Sequence, residues 1–125
     1  MTATIVLPYP RPPLTPNQRP DRHTKARLTR EIRTTACWLA KSAKLAPLGE
    51  SAVTATCTWF VPDRRKRDVG SLTLTAKAAI DGLVDAGILP ADDWTVVTEE
   101  RYRIGLDPTR PRIELTLEET HECAS

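Results

Sequence analysis

Six prolines lie within residues 8–24, and no helix can run through so dense a series of them. Proline lacks a backbone N–H, and its ring clashes with the preceding helical turn. We therefore predict a long ordered loop with polyproline-like stretches, here called the arm. A loop of this length in so small a domain is more often functional than accidental. The arm carries Arg11, Arg19, Arg22 and His23 among its prolines.

Outside the arm, hydrophobic periodicity predicts four strands and two helices. The clearest element is residues 51–61, where Val53, Ala55, Cys57, Trp59 and Val61 alternate with threonines and Phe60. The other predicted elements are a strand at 2–7, a helix at 24–45 capped by Thr24, a helix from Leu72 ended by Gly87, and strands at about 94–104 and 111–118. This order predicts an α+β fold, in which two helices pack on a small mixed sheet of about four strands.

The length of 125 residues fits one domain spanning residues 1–125, with a frayed tail at 120–125. The longest apolar runs are only a few residues, which excludes a membrane span, and residues 1–24 show no signal-peptide pattern. The three cysteines are an odd number without a CxxC pair, so neither a disulfide framework nor a zinc site is predicted. We expect a cytoplasmic protein, in which Cys37 and Cys57 are small core residues.

The net charge of +2 conceals two oppositely charged parts of the chain. Residues 1–70 hold 13 Lys and Arg against 5 Asp and Glu, a net charge of +8. Residues 71–125 hold 5 against 11, a net charge of −6. A basic part suits a polyanion, and an acidic part suits either solvation or metal ions.

The basic part ends in the most concentrated charge of the sequence, four consecutive cations followed by Asp68. Because like charges repel at short range, such a run indicates either a phosphate-contacting loop or a solvated basic turn. The four cations are Arg64, Arg65, Lys66 and Arg67.

Carboxylates from separate loops are how proteins hold Mg²⁺, which takes oxygen ligands and keeps several waters. Asp68 precedes the second helix, and Asp92 and Asp93 follow it, so folding can bring the two loops together. The alternative is that the Asp pair caps a turn. Lys77 and Asp81 stand four residues apart on the helix and can pair on its surface.

The residue patterns of other common catalytic chemistries are absent from the sequence. The sequence has no Ser-His-Asp or Cys-His order and no Gly-rich phosphate loop, so acyl transfer and nucleotide hydrolysis have no support. His23 and His121 have no second histidine or cysteine nearby, and we expect both at the surface.

Taken together, an ordered set of motifs spanning about 5–119 resembles the RusA family of Holliday junction resolvases. The matching segments are Pro12-Pro13-Leu14-Thr15-Pro16-Asn17-Gln18-Arg19, Arg67-Asp68, Leu72, Thr75, Lys77-Ala78, Asp81-Gly82-Leu83, Ala86-Gly87 and Asp92-Asp93. The stretch from Arg67 to Asp93 is the most specific. The family shows there an Arg-rich loop, an Asp-x-Asp-Asn segment, a helix lysine and an Asp-Asp pair.

The resemblance implies a small homodimeric endonuclease, often of phage or prophage origin, that uses Mg²⁺ or Mn²⁺ to cut four-way DNA junctions symmetrically in recombination and repair. It implies that Asp68 and Asp93 bind the metal, and that Lys77 and Asp92 complete the catalytic set. Branched DNA would be contacted by Asn17, Arg19 and Arg22 of the arm and by Arg64, Arg65, Lys66 and Arg67.

The sequence departs from the family at Gly70 and Ser71, where the second aspartate and the asparagine are usual. Asp81, Asp92, Glu99 or water could supply the missing oxygen. A second hypothesis follows, a junction- or duplex-binding protein with impaired catalysis. An RNA-binding module is a third, but the sequence lacks the aromatic residues that such sheets normally display.

Overall fold

The computed structural model describes residues 2–16, 21–49 and 52–120. Its four strands form one mixed sheet in the order β1-β4-β2-β3, in which β2 runs parallel to β3 and antiparallel to β4, and β4 runs antiparallel to β1. The strands are β1 (Thr2–Leu7), β2 (Val53–Val61), β3 (Val97–Leu106) and β4 (Arg112–Glu119). Two helices, α1 (Arg22–Ser42) and α2 (Thr73–Asp85), complete the fold, and a 3₁₀ segment (Val69–Leu72) precedes α2. The predicted α+β class, with two helices on a four-stranded mixed sheet, is confirmed.

The two central strands place their apolar side chains on one face, as the period of two predicts. Ile113, Leu115 and Leu117 of β4 are buried there, and they belong to one hydrophobic cluster with Ile32 of α1 and Leu83 of α2. The helices therefore cover this face of the sheet, and the core lies between the two layers.

The helices approach each other closely where α2 carries Gly82. A Cβ at this position would lie 2.3 Å from the carbonyl oxygen of Arg33, so only glycine fits here. The Arg33 guanidinium also donates two hydrogen bonds, of 2.5 and 2.7 Å, to the carboxylate of Asp85. This pairing holds the pKa of Asp85 below its usual range and fixes the two helices side by side.

The start of α1 corrects the sequence-based prediction. Asp21, and not Thr24, is the N-cap, since its side chain accepts a 2.7 Å hydrogen bond from the backbone N–H of Thr24. The helix spans Arg22–Ser42 instead of 24–45, so the predicted arm over 8–24 is cut short by the first helical turn. The helix begins two positions after Pro20, the last proline of the arm, so no proline interrupts its hydrogen bonds.

Other predicted boundaries also shift by a few residues. The third strand is Val97–Leu106 and not 94–104, because Asp93–Val96 form a turn. Cys57 is buried as predicted, whereas Cys37 is only half-buried. Gly87 ends α2 with a φ of +79°, a conformation that suits glycine at a helix C-terminus. Thr120 donates a hydrogen bond to the Ala52 carbonyl, and the rest of the predicted frayed tail lies outside the described residues.

None of the helices in the described ranges is both long and apolar enough to span a bilayer.

Candidate nucleic-acid and metal site

Two side-chain hydrogen bonds link the described part of the arm to the body of the fold. The indole Nε1 of Trp59 donates a 2.9 Å hydrogen bond to the carbonyl oxygen of Pro10, and the buried Thr75 hydroxyl donates one of 2.8 Å to the carbonyl oxygen of Leu14. Leu14 itself is buried in the core cluster. The described part of the arm therefore lies across the end of β2 and the start of α2.

Two of the predicted arm contacts, Asn17 and Arg19, lie outside the described residues. The third, Arg22, is exposed in the first turn of α1.

The basic loop after β2 is organised by Asp63, a residue that the sequence analysis did not single out. Arg67 donates to the Asp63 carboxylate and to its carbonyl oxygen, each at 2.9 Å, and to the Arg65 carbonyl oxygen at 3.1 Å. The backbone N–H of Arg65 and the Arg67 side chain lower the pKa of Asp63. Arg67 is thus fixed inward, while Arg64, Arg65 and Lys66 remain exposed.

Trp59 connects the basic loop with the arm. The Arg67 guanidinium lies over its ring, 5.5 Å from the centroid, within reach of a cation–π interaction. Alternation places Trp59 on the covered face of β2, yet it is only half-buried. It lines two adjoining cavities, of about 600 and 370 Å³, which also share Pro10 and Arg11.

Asp68 occupies the N-cap of the 3₁₀ segment. Its carboxylate accepts a 2.9 Å hydrogen bond from the backbone N–H of Gly70, and its carbonyl oxygen accepts one of 2.7 Å from the Ser71 hydroxyl. A Cβ at Gly70 would lie 3.3 Å from a carboxylate oxygen of Asp68. A side chain at position 70 would therefore start beside the Asp68 carboxylate.

Lys77 brings two carboxylates together on the exposed side of α2. Its ammonium donates a 2.9 Å hydrogen bond to Asp81 and a second hydrogen bond to Asp92. Burial lowers the pKa of Lys77, but the hydrogen bonds and charges of the two carboxylates outweigh it, and the net shift is upward. The hydrogen bond from Lys77 lowers the pKa of Asp92. The predicted Lys77–Asp81 pair is present, and Asp92 joins it.

Asp93 makes a different set of contacts. Its carboxylate accepts hydrogen bonds from the hydroxyl and the backbone N–H of Thr95, and these lower its pKa. Its carbonyl oxygen accepts from the N–H groups of Val96 and Val97 at 3.0 and 2.9 Å. Asp93 thus shapes the turn that leads into β3, which is the capping role that the sequence left open as the alternative to metal binding.

The candidate ligands are distributed over these separate contacts. Across residues 2–16, 21–49 and 52–120, no group of three or more His, Cys, Asp or Glu side chains is placed to hold a metal ion. Glu99, considered as a replacement ligand, pairs with Arg101 on β3 at 2.8 Å. His23 is exposed on α1. Of the predicted site residues, Lys77 and Asp92 therefore contact each other, whereas the carboxylates of Asp68 and Asp93 each accept hydrogen bonds from residues close to them in the sequence.

Sequence reasoning missed Trp59 as part of this site. The alternation of β2 predicted it as a core residue, but its position at the end of the strand, next to a proline-rich segment and a basic loop, could have marked it. Comparison with models of known protein families gave no match to this chain, and no curated protein matches it.

Proposed function

We propose that this chain is a structure-selective endodeoxyribonuclease that cuts four-way DNA junctions with Mg²⁺, as the resemblance to the RusA family implies. One observation supports this most: Trp59 joins the arm to the basic loop, and Asp68 follows that loop directly. Cations that can hold a DNA backbone thus adjoin the first candidate metal ligand.

Phosphate binding would come from the exposed side of the basic loop. Arg64, Arg65 and Lys66 extend into solvent, while Arg67 is fixed by Asp63 and positions the loop. Contacts to phosphates do not depend on the base sequence, so they suit recognition of the shape of branched DNA. Arg22 on α1 adds a further exposed cation. Asn17 and Arg19 stay predicted contacts from the part of the arm outside the described residues.

Carboxylates are the donors that Mg²⁺ takes, commonly one or two of them, before water and substrate phosphate complete its shell. Asp68 and Asp93 would hold it, and Mn²⁺ could substitute. The ion would supply Lewis acidity at the scissile phosphodiester.

Lys77 has a role that its own geometry supports. An ammonium group has three N–H donors, and Asp81 and Asp92 accept two of them. The third is available to a phosphate oxygen, where it would balance the charge that develops during cleavage. Asp81 and Asp92 would orient the lysine for this contact.

Symmetric cleavage of a four-way junction needs two active sites, so the active form is proposed to be a C₂ homodimer. The proposed setting is the cytoplasm of a bacterial cell, with a phage or prophage gene as the source.

A second candidate is a junction- or duplex-binding protein with impaired catalysis. It is favoured by the local contacts of the candidate ligands: Asp68 caps the 3₁₀ segment, Asp92 pairs with Lys77, and Asp93 caps a turn. In addition, Gly70 supplies no carboxylate where the family pattern has one. The DNA-binding surface is the same in both candidates.

A labelled four-way junction separates the two candidates. The purified protein is incubated with the junction and, as a control, with a linear duplex of the same sequence, with Mg²⁺, with Mn²⁺ and with chelator. The nuclease hypothesis predicts metal-dependent, paired cuts in the junction only, abolished by Asp68→Asn. Tight junction binding without cuts under any condition supports the second candidate, and the absence of binding contradicts both. Sedimentation of the protein with and without the junction tests the dimer.

A further inference from the structure

The larger cavity beside Trp59 is lined by aromatic residues, which phosphate binding does not require. Two aromatic side chains, Tyr9 and Trp59, lie in it with three neighbouring arm residues, Pro10, Arg11 and Pro12. Its volume of about 600 Å³ exceeds what a single aromatic ring needs. Its lining combines polar and apolar surface in similar amounts, which suits a group with a flat apolar face and polar edges.

The orientation of Trp59 leaves its ring available to a ligand. The indole N–H is already satisfied by the Pro10 carbonyl, so the rest of the ring presents only apolar and π surface. Arg67 lies over the ring on the side of the smaller cavity, since it lines that cavity and not the larger one. The part of the ring that faces the larger cavity is therefore not covered by Arg67.

The cavity also adjoins the candidate catalytic segment. Ser71 lines it, and the Ser71 hydroxyl and backbone N–H both donate to the carbonyl oxygen of Asp68. On the other side, the smaller cavity continues from Trp59 to Arg65 and Lys66. A strand whose phosphates lie on the basic loop can thus place a base beside Trp59 and still reach Asp68.

We propose that this cavity binds an unpaired nucleobase, stacked on Trp59, from the unstacked nucleotides at the branch point of a DNA junction. This proposal rests on the proposed function and adds a base-binding subsite to it. Aromatic stacking suits the role because every base has a π-face, so the contact is tolerant of sequence. Arg11, an exposed residue of the lining, supplies a cation for the phosphate or the base edge.

Fluorescence of Trp59 tests the proposal without altering the cavity. The other two tryptophans, Trp38 and Trp94, are 65% and 80% exposed and can be replaced by phenylalanine, which leaves Trp59 as the single emitter. This protein is titrated with a short oligothymidylate and, as a matched control, with an abasic strand of the same number of phosphates. We expect saturable quenching by the oligothymidylate, with an affinity roughly 5- to 100-fold above that of the abasic strand. Equal affinity and equal quenching by both strands would overturn the proposal.

A pair of variants in the otherwise native chain gives a second readout. Trp59→Leu is expected to weaken oligothymidylate binding roughly 5- to 100-fold more than it weakens abasic-strand binding, which it affects only through the lost contacts to Pro10 and Arg67. Trp38→Leu, on the exposed side of α1, is the control and is expected to change neither. If Trp59→Leu does not fold, as judged by circular dichroism, the fluorescence titration decides alone.

Junction binding and cleavage by the same preparations separate this proposal from the proposed function. A protein that binds and cuts junctions but shows no base-dependent quenching contradicts the subsite alone. Base-dependent quenching without cleavage supports the subsite and contradicts the nuclease. A protein that binds neither junctions nor strands overturns both.

Discussion

The indole nitrogen of Trp59 donates a 2.9 Å hydrogen bond to the carbonyl oxygen of Pro10, and this contact joins the proline-rich arm to the second strand. The two residues lie 49 positions apart in the sequence. Without such contacts a loop of this composition would have no partner for its carbonyl groups except water. The arm is therefore part of the structured surface next to the basic loop.

The second attachment of the arm can be tested by stability. Thr75→Val removes the hydroxyl that donates to the Leu14 carbonyl and leaves a buried acceptor unpaired. We expect the free energy of unfolding to fall by about 1–3 kcal/mol, measured by urea denaturation. Thr34→Val, at an exposed position of α1, is the control and is expected to change stability by less than about 0.5 kcal/mol. Equal stability of Thr75→Val and the parent would show that this hydrogen bond does not hold the arm.

The exposed cations of the basic loop predict a change in salt dependence. Replacing both Arg64 and Lys66 by alanine removes two cations whose side chains point into solvent. The slope of log affinity against log salt for junction binding is expected to become shallower by up to about 2, because each phosphate contact contributes roughly 0.9. Arg27→Ala, which removes a cation paired with Glu31 on α1, serves as the control. An unchanged slope in the double variant would show that the basic loop does not contact DNA phosphates.

Much of the fold follows from the sequence alone. The period of two in residues 53–61 and 112–119 and the helical spacing in α2 reflect burial of one face, which is a local signal. Element ends were less accurate, because Asp21 and Thr24 are both good N-caps and only the backbone decides between them. The sheet order β1-β4-β2-β3 depends on long-range pairing and was not predicted.

The site was predicted less completely than the fold, for a physical reason. Pattern reasoning identifies charged residues but not their partners, so it left Asp93 between metal binding and a turn cap, and only the structure shows the hydrogen bonds that Asp93 accepts from Thr95. It also left Asp63 out, although Asp63 orders the basic loop. Contacts between distant segments, such as Trp59 with Pro10, leave no periodic signal in the sequence.

The pairing of Asp107 with Arg112 predicts a dependence of stability on pH. The hydrogen bond from Arg112 lowers the pKa of Asp107 to about 2. Since the folded pKa lies below the unfolded one, this pair contributes stability above about pH 4 and loses it as the pH falls toward 2. Urea midpoints between pH 4 and 2 should therefore fall less in Asp107→Asn than in the parent. Glu118→Gln, an equal change of charge at an exposed position of β4, should keep the parent's dependence on pH, and Asp107→Asn midpoints that fall as much as the parent's would contradict the assignment.

Lys77 offers a test of catalysis that is separate from binding. Lys77→Met keeps the length of the side chain but removes the ammonium between Asp81 and Asp92. If this group balances charge on the phosphate, the single-turnover cleavage rate should fall by about 100-fold or more, while junction affinity stays within a few-fold. Lys41→Met in the last turn of α1 is the matched control. A parallel loss of affinity and rate would assign Lys77 to DNA binding instead.

The substitution Gly70→Asp tests whether the proposed metal site at Asp68 lacks one carboxylate. The new side chain would start 3.3 Å from the Asp68 carboxylate, so without metal the two like charges should lower the melting temperature. Mg²⁺ that binds the folded state should restore it and raise the cleavage rate, because ligand binding stabilises by mass action. Gly70→Asn has the same size and the same close contact with Asp68 but no charge, so neither its melting temperature nor its cleavage rate should rise with Mg²⁺ beyond the parent's response. A Gly70→Asp protein whose melting temperature and cleavage are indifferent to Mg²⁺ would show that position 70 is not part of a metal site.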